Sequence, residues 1–299
     1  MTTTISDRLS SQESLFNTPE SLSILDIKTL VAGCISKSIL VVAPHPDDET
    51  LGCGGAIALL RQLDLDVKVL VVSDGTQSHP NSLAYPPVAL KQLRQRESLT
   101  ALNILGVAPE AVTFLNLPDG AVPTMELVGD EIAETEEANG AETLSSAKQT
   151  IKSKLSSKID GEINTKRQKY RDVIAFIGQY LNDLTPSTIF LPWRKDPHPD
   201  HRASWQLFTT ACKQLTYCPR LIEYPIWDWD KEQRQDFPVS INAWRLDISK
   251  VLELKRQAIA QYHSQISDLI KDDPEGFRLT PEMISNFTQP WEIYLELKL

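Results

Sequence analysis

Cysteine and histidine are both scarce in this 299-residue chain, with four of one and five of the other. Cys34, Cys53, Cys212 and Cys218 form no Cys-x-x-Cys pair, which argues against a disulfide framework or a cysteine-rich zinc module. Reduced, mostly structural thiols are expected. No apolar run reaches the ~18 residues of a spanning helix. The opening MTTTISDRLSSQESLFNTPES has no basic region followed by an apolar one, as a secretory leader would. A cytoplasmic chain without membrane insertion is the expectation. Basic residues are also in deficit: 30 Lys and Arg against 40 Asp and Glu give a formal net charge of -10. That balance argues against a nucleic-acid or anionic-membrane surface.

The negative charge is concentrated. Eight acidic residues, and no Lys or Arg, lie between Asp119 and Ala147, so the rest of the chain is nearly neutral. From about 121 to 168 the sequence is rich in Glu, Ser, Thr and Lys, and aromatic residues are missing through Lys166. This composition reads as a solvated, partly helical insertion within one domain, or as a lid over a site. The first 35 residues read as an N-terminal extension, which leaves 36–299 as the domain.

Around the insertion, strand-like and helix-like segments alternate. SILVVAP (38–44), VKVLVVSDG (67–75), AVTFLNLPDG (111–120) and STIFLPW (187–193) are apolar and β-branched. TLGCGGAIALLRQL, PVALKQLRQRESLTALNILG, YRDVIAFIGQYLNDL and HRASWQLFTTACKQL carry helical spacing. RLIEYPIWDWD and NAWRLDIS read as later strands, and 250–270 as one long amphipathic helix. Alternation of this kind predicts an α/β fold, Rossmann-like, with a mainly parallel sheet covered by helices on both faces. Ligands in such sheets collect beyond the carboxyl ends of the strands.

Three of the five histidines sit in two near-copies of His-Pro-Asp placed after such strands: VVAPHPDDETLGCGG (41–55) and FLPWRKDPHPDHRAS (190–204). His45, Asp48 and His201 make a donor set of the kind that holds a catalytic zinc and leaves a position open, although Fe2+, Co2+ or Ni2+ fit the same ligands. Asp47, left over beside that set, becomes the candidate general base. His198 is placed to donate to a developing oxyanion, with Asp200 holding its tautomer or favouring its charged form. The Gly52, Gly54, Gly55 cluster fits neither a dinucleotide nor a Walker loop, and reads as close helix packing. His79 reads as a solvated loop residue, with a place in the pocket as the alternative.

These two motifs, together with LRQRESLTALNILGV (93–107), FLNLPDG (114–120) and KRQAIAQYHSQI (255–266), resemble the LmbE-like family, which includes the PIG-L de-N-acetylases and the deacetylases of mycothiol and bacillithiol synthesis. The resemblance implies a zinc-dependent hydrolase that removes an acetyl group from a small N-acetylated amino sugar or its conjugate. It also implies that Arg94 and Asp119 contact the sugar. The chain departs from the mycothiol-pathway members in carrying Asp196 where they have tyrosine, which argues against a mycothiol precursor as substrate. Hydrolysis of another acylated amine or antibiotic precursor, and a metal-binding protein without catalysis, are the alternatives. Neither oligomeric state nor aglycon is legible.

Overall fold

A computed structural model describes residues 22–30, 38–124, 146–229 and 241–297. Most of the acidic run, 125–145, lies outside these residues. The chain divides into two compact units, one of 1–122, 185–205 and 218–299, the other of 123–184 and 206–217.

The first unit contains an eight-stranded sheet. Its strands are β1 (Ser23–Leu25), β2 (Ser38–Ala43), β3 (Asp66–Ser73), β4 (Val112–Leu117), β5 (Thr188–Pro192), β6 (Arg220–Tyr224), β7 (Ile241–Asp247) and β8 (Trp291–Leu297), in the order β1-β7-β8-β6-β5-β2-β3-β4. The stretch from β6 to β4 is parallel throughout. Every residue of β2 and β5 is buried, which is why both read as unbroken apolar runs. From β2 the chain steps outward to β3 and β4, then returns to β5 and β6 on the other side. The order reverses between β2 and β5, the topological switch point where open parallel sheets bind ligands. Both His-Pro-Asp loops leave the sheet there.

The expected mainly parallel α/β sheet is therefore the fold, with two additions. Strand β8 runs antiparallel between β6 and β7, and β1, within the segment read as an extension, pairs with β7. Strand β8 hides a charge: Glu292 is 4% exposed. It accepts from the backbone of Gly55 and Ala56 at 2.6 and 2.8 Å and from Lys255 Nζ at 2.7 Å.

Helix α1 is Ile27–Leu30, α2 Asp48–Gln62, α3 Pro87–Ile104, α4 Ser146–Leu184 and α5 Pro199–Cys212. Helix α2 packs tightly because it lacks side chains where it meets its neighbours. A Cβ on Gly52 would lie 2.3 Å from the Tyr224 ring, and one on Gly55 2.5 Å from Ile248, so the glycine cluster serves packing.

The segment 250–270 is not one helix. It forms α6 (Leu252–Ile259) and α7 (His263–Ile266), followed later by α8 (Pro281–Phe287). The break puts Tyr262, fully buried, where its hydroxyl donates to Glu49 Oε1 at 2.6 Å and meets Thr50 Oγ1 at 2.8 Å. Satisfying a buried carboxylate outweighs one more helical turn. In the second unit, α4 buries Tyr170, Ile174, Ile177 and Leu181 along one stripe, and Tyr217 donates to the Leu181 carbonyl at 2.9 Å.

Candidate metal centre

His45 ends the turn after β2, and Asp47 and Asp48 open α2. His198 precedes α5, while Asp200 and His201 lie in its first turn. Three donor atoms from these loops converge. His45 Nδ1 lies 3.2 Å from Asp48 Oδ2, His201 Nε2 lies 3.2 Å from the same oxygen, and the two nitrogens are 3.3 Å apart. Two ligands about 2.0–2.1 Å from zinc at a tetrahedral angle are roughly 3.3 Å from each other. The triangle thus has the edges that three of four tetrahedral ligands require. Two other groups around His45, with His198 and His201 and with Asp119 and Asp200, also bring three donor atoms within reach of one ion.

Electrostatics favour a cation at this point. Burial alone would depress His201, yet Asp196 and Asp48 outweigh it and raise the imidazole to about 9. His45 is likewise raised against burial by Asp119, Asp200 and Asp48. Burial works upward on Asp48 too, but His201 and His45 drive it well below the carboxylate range. A largely buried spot that holds protons on two imidazoles is short of positive charge, and the His, Asp, His donors suit a divalent transition metal.

The outer nitrogens of both imidazoles face carboxylates. His201 Nδ1 is 3.3 Å from Asp196 Oδ2, and His45 Nε2 is 3.2 Å from Asp119 Oδ1 and 3.4 Å from Asp200 Oδ2. Carboxylates behind ligating histidines set ring orientation and basicity. Asp196 is fully buried and accepts from the backbone N–H groups of His198, Trp227 and Ile226 at 2.9, 3.1 and 3.3 Å. The sequence marks Asp196 only as a departure; His198 and His201 lie close to it in the chain, but Ile226 and Trp227, which fix its carboxylate, are 30 and 31 residues away.

Asp47 has φ 138°, a region that disfavours any side chain. Its backbone N–H donates to Glu49 Oε2 at 3.1 Å, and Glu49 is in turn held by Tyr262. Arg94 Nη2 donates to Asp47 Oδ2 at 3.0 Å and to the Pro46 carbonyl at 2.7 Å, and Nη1 donates to Gly75 at 3.0 Å. Burial pushes the Asp47 carboxyl up to about 8, against the pull of Arg94. Asp119 accepts from the Gln77 backbone at 2.9 Å, and its pKa stands at about 2 because His45, with Gln77 and Arg94, outweighs burial.

His198 Nδ1 accepts from the Asp200 backbone N–H at 3.2 Å, so Nε2 carries the proton of the neutral ring. Burial, with His201 and His45 nearby, lowers this imidazole to about 4. The carboxylate of Asp200 is engaged elsewhere, accepting from Gly120 and Val122 at 2.7 and 3.3 Å. The Asp200 backbone N–H sets this tautomer, because the first turn of α5 aims it back at the ring, while the nearby Asp200 carboxylate favours the charged imidazole against burial. His79 is 1% exposed and packs over Gly276, so it is not a solvated loop residue.

His45, Asp47, Asp48, Arg94, Asp119 and His198 line one cavity of about 250 Å³. A family model for PIG-L, GlcNAc-PI de-N-acetylase, matches residues 40–212 and so takes in all of them together with Asp200 and His201. The chain belongs to the PIG-L family. It is 31% identical over 112 residues to a diacetylchitobiose deacetylase of Thermococcus kodakarensis, covering 37% of this chain and 40% of that one. It is 37% identical over 87 residues to a 1D-myo-inositol 2-acetamido-2-deoxy-alpha-D-glucopyranoside deacetylase of Kineococcus radiotolerans, covering 28% and 24%. The chain thus spans less than half the length of either relative. The fold is similar to that of the N,N'-diacetylchitobiose deacetylase of Pyrococcus horikoshii, with a TM-score of 0.53 at 18% identity over 98% of this chain and 94% of the other. Among the described residues, no helix is long and apolar enough to cross a membrane.

Proposed function

We propose that this PIG-L family chain is a zinc-dependent N-deacetylase of the cytoplasm, acting on a small N-acetylated amino sugar or its conjugate. The observation that carries this reading is the triangle of His45, Asp48 and His201 donor atoms, 3.2, 3.2 and 3.3 Å on its edges, with the carboxylate of Asp47 outside it and His45, Asp47 and Asp48 lining one cavity. The family relatives, two of them named as deacetylases of acetylated sugars, support the substrate class.

His45, Asp48 and His201 would hold the metal, which when bound supplies Lewis-acid polarisation of a carbonyl and lowers the pKa of water. Asp47 takes the proton of the attacking water. Arg94 occupies its Oδ2 and leaves Oδ1, which has no hydrogen-bond partner among the described residues. His198 donates from Nε2 to the carbonyl oxygen as that atom becomes anionic. Asp47 then gives its proton to the departing nitrogen, so that water and amide become acetate and amine. Asp200 holds the turn at Gly120 and backs His45. Arg94 and Asp119 meet the sugar at the polar wall, Arg94 also fixing Asp47.

Acetate release from a panel of N-acetylated amino sugars, with and without a chelator, tests the proposal. Release that stops on chelation and returns with zinc is expected, and Asp47→Asn should keep its metal while losing on the order of 10²–10⁴ in kcat. Release unaffected by chelation, or an undiminished Asp47→Asn protein, overturns it.

A further inference from the structure

The cavity has two unlike walls. The polar one comes from within residues 40–212, the span of the family match, with Gln265 added from beyond it. The apolar one is made by Ile226, Trp227, Phe277, Leu279, Met283 and Phe287, all of them beyond that span. Only Leu51, one turn after Asp48 on α2, joins them from within the match. Trp227 links the two walls. Its ring lies 6.0 Å from that of His198 at an interplanar angle of 22°, and 5.5 Å from that of Phe277.

The apolar wall is tied down. Phe277 N donates to the Ser78 carbonyl at 2.6 Å, Leu279 N donates to the Gln265 carbonyl at 2.7 Å, and Thr280 Oγ1 caps α8 by accepting from Met283 N at 3.2 Å. A free amino sugar can lay one C–H face on a ring such as Trp227, but its hydroxyls pressed against Ile226, Leu279 and Met283 would lose water without gaining partners. An apolar substituent gains from every methylene it buries there.

From this we infer that the cavity contains an apolar subsite, and that the substrate is an N-acylated amine carrying an alkyl or aryl group next to the scissile amide. The inference rests on the deacetylase reading above and narrows it. The apolar group is either the acyl chain or the substituent on the amine side, and two substrate series separate these sources. One runs through N-acetyl-, N-butanoyl- and N-hexanoyl-glucosamine, the other through methyl, butyl and phenyl glycosides of N-acetylglucosamine.

With the zinc-loaded full chain, kcat/KM is expected to climb about fourfold per buried methylene in one series until the cavity fills, and to stay flat in the other. Met283→Asn should flatten the climbing slope, judged against that variant's own rate on the shortest member. Calorimetry of the wild type with the product series, butanoate and hexanoate against acetate, and butyl and hexyl against methyl glucosaminide, needs no turnover. It should give tighter binding and a more negative heat-capacity change as the chain lengthens. Flat slopes in both series with measurable acetate release overturn the subsite and leave the deacetylase reading standing. No release from any substrate overturns that reading, and the calorimetric series then decides the subsite: length-dependent binding supports it, and equal binding across both product series overturns it.

Discussion

Oδ2 of Asp196 lies 3.3 Å from Nδ1 of His201, and neither residue is exposed. Three backbone N–H groups, from His198, Ile226 and Trp227, hold the carboxylate before it meets the imidazole. The loop after β5 and the loop after β6 therefore share one fixed anion, and the ring that it orients is one corner of the donor triangle.

Asp196→Asn keeps the volume and removes the charge. Loss of a carboxylate behind a ligating histidine costs about 10- to 100-fold in metal affinity. Zinc affinity of the variant, measured by competition with a chelator, is expected to fall by that factor, and the visible absorption of the cobalt-loaded protein to shift. Unchanged affinity and an unchanged cobalt spectrum would show that Asp196 serves only the turn.

Arg94 gives a separate prediction, because its guanidinium serves three acceptors at once: Gly75, Pro46 and Asp47. A lysine ammonium is a point charge without the planar fork that spans them. Arg94→Lys is expected to retain bound metal while losing about 10²-fold in kcat, through displacement of Asp47. Arg94→Met leaves the Gly75 and Pro46 carbonyls without their donor and lets burial raise the Asp47 carboxyl further, and should cost about 1–3 kcal/mol in urea unfolding of the metal-free protein. A lysine variant with full kcat sinks the positioning role.

The parallel half of the sheet was legible because β2, β3 and β5, buried almost throughout, can be written only in apolar residues. The donor triangle was legible because few residue types ligate transition metals and this chain has few histidines to spend. What escaped depends on contacts made far along the chain. Strand β8 carries Glu292, which reads as surface until Lys255 comes to meet it. The single helix expected over 250–270 has the right periodicity, and only the distant Glu49 explains why it breaks at Tyr262. Asp196, and the apolar wall around Trp227, share that cause.

Lys255 and Glu292 test this account of β8. Lys255 is 1% exposed and donates to Glu292 Oε1 and to the Leu51 carbonyl. Lys255→Met strands a buried carboxylate that Gly55, Ala56 and Tyr294 only partly satisfy, and should cost about 3–5 kcal/mol. Glu292→Gln strands the ammonium and should cost a comparable amount. Because the two groups touch, the double variant should lose less than the sum of the single losses by about 0.5–3 kcal/mol. Strict additivity in denaturant unfolding would mean that the pair is not coupled.

Asp272 supplies the pH test. Its carboxylate accepts from Leu83 N, Ala84 N and Ser82 Oγ at 2.7, 2.8 and 2.8 Å, while Asp273 accepts from Asn81 N at 2.9 Å. These bonds fasten the loop after β3 to the segment leading into Phe277 and Leu279, two residues of the apolar wall. The N–H of Ala84, the Ser82 hydroxyl and the N–H of Leu83 hold Asp272 below the usual carboxylate range. A group whose folded pKa is depressed adds stability that is present above its unfolded pKa, about 3.9, and is lost as pH falls through the folded value. Amide-exchange protection at Leu83 and Ala84 should therefore be level from neutral pH down to about 4 and decline below it. In Asp272→Asn, protection at both amides should be lower at neutral pH and lose this step. A step of wild-type size in the variant would assign the titration to another group and remove Asp272 as the clasp on the cavity wall.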